Sequence, residues 1–277
     1  MSRLSAIAGG CGRQAAVSRW KTEIGYNYVG GINRGDTFNT PMSNDFRRNL
    51  SIITHMANEE GIDLLGVAGI SHGREHFHQL PASLLEKLPL AIVIGVGLSA
   101  AVLDSLEDAP NLVYLHHYRQ INAHLDQVAL KISQEITRLG YLSVPIAASQ
   151  LVDWEKQLGH VSHKELARLA GLGWRGRNNL LVTEQWGAQV RLSSILTDFP
   201  LEAAKPVVKD CGNCFRCLSS CPVEAIKKEL KDFDSAGCYN QLKEFKKQTG
   251  IGHHICGLCV KVCAGVGRWE KQSLPSP

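Results

Sequence analysis

The amino-acid sequence predicts a mixed α/β (α+β) domain followed by a smaller, cysteine-rich domain. The first observation is that strand-like apolar segments alternate with segments of helical periodicity through the first two hundred residues. The second observation is that eight of the nine cysteines lie between Cys211 and Cys263. We therefore divide the chain into an N-terminal extension at 1–42, an α/β domain at 43–203 and a cysteine-rich domain at 204–277.

The composition is that of a soluble globular protein, with 44% hydrophobic and 20% charged residues in a chain of 277. The longest apolar run, at residues 88–103, is short and is interrupted by Pro89 and two glycines, so it does not predict a membrane span. The N-terminus lacks the hydrophobic core of a secretory signal. Crowded cysteines indicate a metal site in a reducing compartment. These features together predict a cytoplasmic protein.

Hydrophobic periodicity predicts the elements of the α/β domain. At 122–139 the apolar residues recur at helical spacing, and Gly140 is placed to end this helix. The expected elements are a helix at 43–60, strands at 62–70, 90–96 and 111–115, and a helix at 122–139.

A further helix and strand precede the cysteines. Ser162 can cap a helix over 163–170, Gly171 can end that helix, and a strand is expected at 178–182. The connection reads GLGWRGRNN and offers backbone N–H groups and two guanidinium groups, which suit an anionic or amide-rich cofactor. The alternative is a plain connection between a helix and a strand. The glycine pattern is not a dinucleotide-binding fingerprint, because no strand is expected before it.

The first cysteine run has the spacing of bacterial ferredoxins. Cys211, Cys214, Cys217 and Cys221 form C-x2-C-x2-C-x3-C, and Pro222 follows. Two residues between ligands allow a tight loop to present three thiolates to one [4Fe-4S] cubane. The fourth cysteine, at the start of a helix expected after the proline, normally serves a second cluster. The sequence must therefore contain a second run.

The second run is HICGLCVKVCAG, which contains Cys256, Cys259 and Cys263 at the same spacings but has one cysteine fewer. Cys238 supplies the missing ligand, and every cysteine of the region is then used. We assign Cys211, Cys214, Cys217 and Cys263 to the first [4Fe-4S] cluster, and Cys221, Cys238, Cys256 and Cys259 to the second.

The alternative for the cysteines is two structural zinc ions, because eight thiolates also make two tetrahedral sites. Zinc ribbons usually present separate C-x2-C pairs, whereas here the ligands interleave and a proline follows the first run, which favours iron-sulfur clusters. Two clusters with about two negative charges each would offset the formal net charge of +4. The basic residues at 243–247 are therefore interpreted as a solvated helix face.

The segments GLGWRGRNNLLV, ILTDFPL and GIDLLGVAGI, together with the eight-cysteine register, resemble the epoxyqueuosine reductases. These are cobalamin-dependent iron-sulfur enzymes of tRNA modification that are related to reductive dehalogenases. The resemblance covers roughly residues 45–265. It implies a cobalamin-binding α/β domain, a ferredoxin-like domain with two [4Fe-4S] clusters, and one cluster close to the corrin. Reduced cobalt would then remove the epoxide oxygen of epoxyqueuosine in the tRNA anticodon loop.

The resemblance also implies a cobalamin site between the two domains. The expected partners are an external electron donor and a tRNA or small-molecule substrate, with no membrane. We expect cobalamin to be bound by a loop containing Gly159, His160, Val161 and Ser162 and by a segment containing Gly173, Trp174, Gly176, Arg177 and Asn178.

The chain departs from the family where a proton donor is expected. The family's aspartate lies in a stretch resembling GRDYH, whereas this chain reads VYLHHYRQINAH at 113–124 and has no acid before Asp126. Reduction of an epoxide still requires a general acid. We therefore take His116, His117 and Tyr118 as candidates.

Two functions remain open from the sequence. The first is a reductase of the epoxyqueuosine reductase type, with an altered catalytic acid. The chain ends at Pro277, where relatives continue into a helical-repeat region that helps engage tRNA, so this reductase would lack that region. The second function is an iron-sulfur electron-transfer or corrinoid-reducing partner protein that has no substrate of its own.

Overall fold

The computed structural model describes residues 44–70 and 76–265. The N-terminal extension assigned to 1–42, with Cys11, lies outside the described residues. These residues contain six strands: β1 (Leu64–Gly69), β2 (Leu90–Gly97), β3 (Ser143–Ile146), β4 (Trp174–Arg175), β5 (Leu181–Val182) and β6 (Val190–Thr197).

Eight α-helices accompany these strands within the described residues. They are α1 (Asn44–Glu59), α2 (Ala82–Leu85), α3 (Ala100–Asp104), α4 (Leu112–Arg138), α5 (His163–Leu169), α6 (Arg216–Ser219), α7 (Ser235–Thr249) and α8 (Leu258–Lys261). In the described part of the chain, no helix combines the length and the apolar character that crossing a membrane requires.

The main sheet has the strand order β1-β2-β6-β3, and every neighbouring pair is antiparallel. Side chains alternate across β2, so that Ile92 and Ile94 face one layer and Ala91 and Val93 face the other. Helices α1 and α4 cover the first face, and α5 covers the second. The sheet is therefore buried on both sides, which explains why its central strands read as continuous apolar runs. The predicted mixed α/β architecture is confirmed, in an antiparallel form.

The strand predicted at 111–115 is wrong, because this segment is the first turn of α4. The Asn111 side-chain oxygen accepts a hydrogen bond of 2.9 Å from the Tyr114 N–H, which caps the helix. Leu112 and Val113, which made the segment look like a strand, are 59% and 55% exposed. The helix therefore begins ten residues before the predicted start at Asn122, and it ends close to Gly140 as expected.

Two local predictions around the glycine loop and Pro222 also need correction. The strand expected at 178–182 is shortened to β5, and its partner β4 lies within the GLGWRG sequence, where no strand was expected. The helix expected after Pro222 is absent from the described residues, because Pro222 lies in a turn. Glu224 adopts φ +50°, which a right-handed helix does not allow. The short helix α6 precedes Cys221 instead.

The cysteine-rich segment docks against one end of the sheet. Its residues Phe245 and Leu258 share a buried apolar cluster with Leu98 and Tyr114. The Gln189 side chain, just before β6, donates hydrogen bonds of 3.2 and 2.8 Å to two carbonyl oxygens at 260–261. These contacts fix the second cysteine run relative to the α/β layers.

The capping contact at Asn111 generates a stability prediction. Replacing Asn111 with Ala removes the acceptor for the Tyr114 N–H, so we expect a loss of about 1 kcal/mol and a fall in Tm of roughly 2–4 °C. Asn111→Asp is the matched control, since it keeps the acceptor and adds a favourable charge at a helix N-terminus. Thermal unfolding measures both variants. If Asn111→Ala matches the wild type, the helix does not depend on this cap.

Candidate functional site

Four thiols from two distant parts of the chain form a first group. Burial, together with the nearby thiols of Cys217, Cys211 and Cys214, raises the pKa of Cys263 to about 11. Burial raises the pKa of Cys217 as well, with contributions from Cys211 and Cys214. Cys263 therefore lies with the first three cysteines of the run rather than with its neighbours in sequence.

The remaining four thiols form a second group. Burial raises the pKa of Cys256 to about 11, and the thiols of Cys238 and Cys221 add to this rise. Burial also raises the pKa of Cys259, to which Cys256, Cys238 and Cys221 contribute. These four cysteines line a cavity of about 50 Å³ whose other walls are largely apolar. The Cys217 thiol contributes to the shift at Cys259 too, so the two groups adjoin.

The two groups of four thiols match the donor set of a [4Fe-4S] cluster and that of a structural zinc ion. A structural zinc needs four thiolates about 2.3 Å from one ion. Within the described residues 44–70 and 76–265, no three His, Cys, Asp or Glu side chains converge on a single metal-ion position. A cubane is held instead at four separate iron corners, so its thiolates stand further apart. Burial raises the pKa of Cys217, Cys238, Cys256, Cys259 and Cys263, so metal binding must displace protons from these five thiols.

Arg177 of the glycine loop holds the first cysteine run in place. Its guanidinium donates hydrogen bonds of 2.9 Å to the Gly212 carbonyl, 3.0 Å to the Cys214 carbonyl and 2.6 Å to the Lys228 carbonyl. It also stacks 4.4 Å above the centre of the Phe215 ring. Sequence reasoning assigned Arg177 to cobalamin, whereas the structure places it on the backbone of the cysteine loops.

Gly173 and Trp174 build the β4–β5 hairpin. Trp174 pairs with Val182, and a Cβ on Gly173 would come within 2.2 Å of the Val182 carbonyl oxygen. Close approach of the two strands therefore requires glycine at this position.

Gly176 and Asn178 lie beside the thiols. A Cβ on Gly176 would be 2.5 Å from Val182 and 3.7 Å from the Cys211 sulfur. Asn178 lines the cavity of the second group. The segment 173–178, which was predicted to bind cobalamin, thus lies next to both cysteine groups.

A larger cavity of about 470 Å³ lies between the end of the main sheet and the second thiol group. Apolar side chains such as Leu98, Ile146 and Leu192 contribute to its wall. The loop following β3, at residues 147–151, provides part of the polar edge. The predicted loop residues that line the cavity are Gly159, His160, Val161 and Ser162.

The wall of this cavity is shared with the second thiol group. Val260, next to Cys259 in sequence, lines the cavity. Burial raises the pKa of Tyr114, another lining residue, and the Cys259 thiol adds to the shift. Burial lowers the pKa of Lys164 to about 8, and the Cys238 thiol opposes that shift. Lining residues on two sides of the cavity therefore lie close to this group.

The three predicted proton donors lie on α4, where successive residues point about 100° apart, so they cannot all face one site. His116 is exposed. His117 Nε2 accepts a hydrogen bond of 3.0 Å from the Ser99 N–H, and burial lowers its pKa. Tyr118 alone of the three lines the large cavity.

Tyr118 is held beside a cation that sequence reasoning missed. The Tyr118 hydroxyl lies 2.5 Å from the Ser149 hydroxyl, and Arg191 Nη2 donates to the Tyr118 oxygen at 3.5 Å. The guanidinium also sits 4.5 Å above the Tyr118 ring, and its Nε donates to the Asn122 side chain at 2.9 Å. Arg191 is a charged residue inside the otherwise uncharged strand β6, and this was the available sequence signal.

His163 and Asp126 fasten the cavity wall at 147–148. His163 Nε2 donates to the Ala147 carbonyl and Nδ1 accepts from the Ser194 hydroxyl, each at 2.9 Å. Burial lowers the pKa of His163 to about 4, so its imidazole is neutral at pH 7. The Asp126 carboxylate accepts from the Ala148 N–H at 2.7 Å. Asp126 therefore supports the wall.

Comparison with known proteins gives curated relatives, although no family model matches the chain. Epoxyqueuosine reductase of Aliivibrio fischeri is 31% identical over 190 residues, which is 63% of this chain and 47% of that protein. Epoxyqueuosine reductase of Gloeobacter violaceus is 48% identical over 127 residues, which is 42% of this chain and 40% of that protein. The chain thus spans less than half the length of these two relatives.

Two solved structures show the same fold at low sequence identity. The epoxyqueuosine reductase from Streptococcus thermophilus has a TM-score of 0.56 and 18% identity, over 82% of this chain and 67% of that one. A reductive dehalogenase whose structure suggests a mechanism for B12-dependent dehalogenation has a TM-score of 0.64 and 17% identity, over 87% of this chain and 36% of that one. The resemblance inferred from the sequence is confirmed: the chain is a homologue of the epoxyqueuosine reductases and has the mixed α/β fold that they share with reductive dehalogenases.

Proposed function

We propose that the chain is a cobalamin- and iron-sulfur-dependent reductase of the epoxyqueuosine reductase type. The observation that carries the proposal is the shared wall: Tyr114 and Val260 line the 470 Å³ cavity, and Cys256 of the second thiol group packs in the same buried cluster as they do. A redox cofactor in the cavity would therefore sit next to a cluster. The curated relatives are named epoxyqueuosine reductase, which supports a reductase, and the cavity is the site that we propose for it.

Two [4Fe-4S] clusters held by residues 204–277, in a ferredoxin-like arrangement, complete the proposal. Each thiol group contains four cysteines and combines residues from both runs, and the second group also includes Cys238. Cys214 of the first group is exposed, whereas the second group lies behind the cavity wall. Electrons from an external donor would enter at the first cluster and pass to the second.

Cobalamin fits the large cavity by the chemistry of its lining. A corrin has an apolar ring face and an edge of amide side chains, and the cavity combines apolar side chains with the peptide groups of 147–151 and 159–162. A Cβ on Gly159 would come within 2.9 Å of the Gln150 carbonyl oxygen, so glycine lets these two segments meet. When bound, cobalamin supplies a cobalt centre that can be reduced by the neighbouring cluster and can in turn reduce a substrate.

Tyr118 is the proton donor in this proposal. Reduction of an epoxide to an alkene takes two electrons and two protons and releases the oxygen as water. The Tyr118 hydroxyl can give a proton to the departing oxygen, and the Arg191 guanidinium beside it stabilises the phenolate that remains. Ser149, which is exposed and hydrogen-bonded to Tyr118, can return a proton from solvent.

The turn between the two lining segments and the residues that it contacts carry groups that suit an RNA loop as the substrate. Trp154, in the turn between the two lining segments, is 64% exposed and contacts the His254 ring edge-on. His254 in turn contacts Tyr239, above which Lys243 lies at 4.3 Å. Exposed aromatic rings and cations bind unstacked bases and phosphates. The proposed substrate is accordingly epoxyqueuosine in a tRNA anticodon loop.

An electron-transfer or corrinoid-reducing partner protein is the second candidate. One observation favours it. Asp126 is the first carboxyl group after the segment that departs from the family motif, and it accepts a hydrogen bond from the Ala148 N–H in the cavity wall. No carboxyl group then takes the place of the family's catalytic acid within the described lining of the cavity.

Titration with cob(II)alamin distinguishes the two candidates. We expect anaerobically reconstituted protein to shift the cobalamin spectrum toward a base-off form, because the cavity would enclose the corrin without its lower ligand. Gly159→Val, which crowds the Gln150 carbonyl, should weaken the shift while leaving the iron content unchanged. Absence of any shift in the wild type under reducing conditions would favour the partner protein.

Paired cysteine substitutions test the grouping of the thiols. Cys238→Ala should damage the second cluster only, and adding Cys259→Ala should cause little further loss of iron because both ligands serve that cluster. Combining Cys238→Ala with Cys263→Ala should instead damage both clusters. Iron and sulfide analysis with EPR spectroscopy measures each variant. If the two double variants lose the same amount of iron, the assignment of ligands to clusters is incorrect.

Substitution of Tyr118 tests the proton donor. Tyr118→Phe keeps the ring under Arg191 but removes the hydroxyl, so we expect turnover on epoxyqueuosine tRNA to fall by roughly 10²–10⁴-fold with clusters and cobalamin binding intact. His116→Gln is the matched control, since His116 is exposed on the same helix, and His117→Gln tests the remaining candidate. Full turnover in all three variants would exclude this segment. An inactive wild type would point to a different substrate.

A further inference from the structure

Asn178 carries a buried hydrogen-bond donor without a partner in the described structure. The residue is 4% exposed, and its side-chain nitrogen Nδ2 makes no hydrogen bond. A buried amide left unpaired costs about 1–3 kcal/mol, so such groups usually have a partner. The orientation of the amide is fixed by its other atom, because Oδ1 accepts a hydrogen bond of 3.3 Å from the Leu180 N–H. Rotating the amide by 180° would leave that N–H facing a donor.

The space beside this amide belongs to the second thiol group. Asn178 lines the 50 Å³ cavity together with Cys221, Cys238, Cys256 and Cys259. Most of the other lining side chains, such as Phe233 and those at 222–223, have no polar atoms that could accept from Nδ2. Ser220 and Gln241 also line the cavity, but Nδ2 makes no hydrogen bond to either, so the acceptors that remain for Asn178 are the sulfur atoms of a cluster and its thiolates.

The neighbours of Asn178 hold the side chain in this position. Arg177 is tied to three carbonyl groups of the cysteine loops. Asn179 adopts a left-handed backbone conformation with φ +60°, and its side-chain oxygen accepts a hydrogen bond from Arg175. With both flanking residues fixed, Asn178 remains in the cavity wall.

We propose that the Asn178 side-chain N–H donates a hydrogen bond to a sulfur of the second cluster and raises the reduction potential of that cluster. This inference rests on the proposed function, since it requires the cluster. Reduction adds negative charge to the sulfurs, so a donor stabilises the reduced form more than the oxidised form. The hydrogen bond would favour the electron residing on the cluster beside the large cavity.

The test is a redox titration of the anaerobically reconstituted full chain, followed by EPR spectroscopy. Asn178→Leu removes the donor at similar volume, and Asn178→Ala removes it without adding bulk. We expect one of the two cluster potentials to become more negative in both variants while the other is unchanged. A hyperfine coupling from an exchangeable proton should disappear together with the donor. Asn240→Leu, an exposed amide on α7 near Cys238, is the control and should alter neither potential.

Iron analysis before the titration separates the possible failures. Full iron content with both potentials unchanged in the Leu and Ala variants would overturn the inference. Loss of the second cluster in both variants would also overturn it, because Asn178 would then be needed for packing rather than for tuning. A wild-type chain that binds no iron would instead refute the proposed function on which the inference rests.

Discussion

The arrangement of the proposed site depends on the return of Cys263 to the first cysteine run, more than forty residues earlier in the chain. The Ala188 N–H donates a hydrogen bond of 2.9 Å to the Cys263 carbonyl, directly before β6 begins. Gly187, with φ +59°, permits this approach, since a Cβ there would come within 2.1 Å of the same carbonyl oxygen. A strand of the central sheet is thereby connected to the ligand that completes the first thiol group.

This connection also explains why the two parts of the chain form one site. The segment that ends at Cys263 begins at Cys256, and Val260 between them lines the large cavity. On the other side, Arg177 ties the α5-to-β5 connection to the first cysteine run. The cysteine-rich part is thus held at two places by the α/β layers, and its second thiol group is set against the cavity where a substrate-reducing cofactor would bind.

The sequence predicted those features that depend on local spacing or on a long periodic pattern. The helix α1 and the strands β1 and β2 lie where they were expected. The prediction failed at 111–115, where apolar residues suggested a strand but the Asn111 side chain begins a helix. The sequence could not reveal the helix start, because Leu112 and Val113 are apolar but exposed, and their apolar character therefore suggested a buried strand. Arg191 was missed for a related reason, since its partners Tyr118 and Asn122 lie about seventy residues away.

We propose that the eight cysteines hold two four-iron clusters next to a cofactor cavity. Analysis of iron, acid-labile sulfide and zinc in the anaerobically purified chain tests it most directly. We expect about eight iron and eight sulfide per chain, with a broad visible absorbance that oxygen bleaches. About two zinc ions per chain with no sulfide would contradict it, because two tetrahedral thiolate sites would then fill the same cysteines without any redox chemistry.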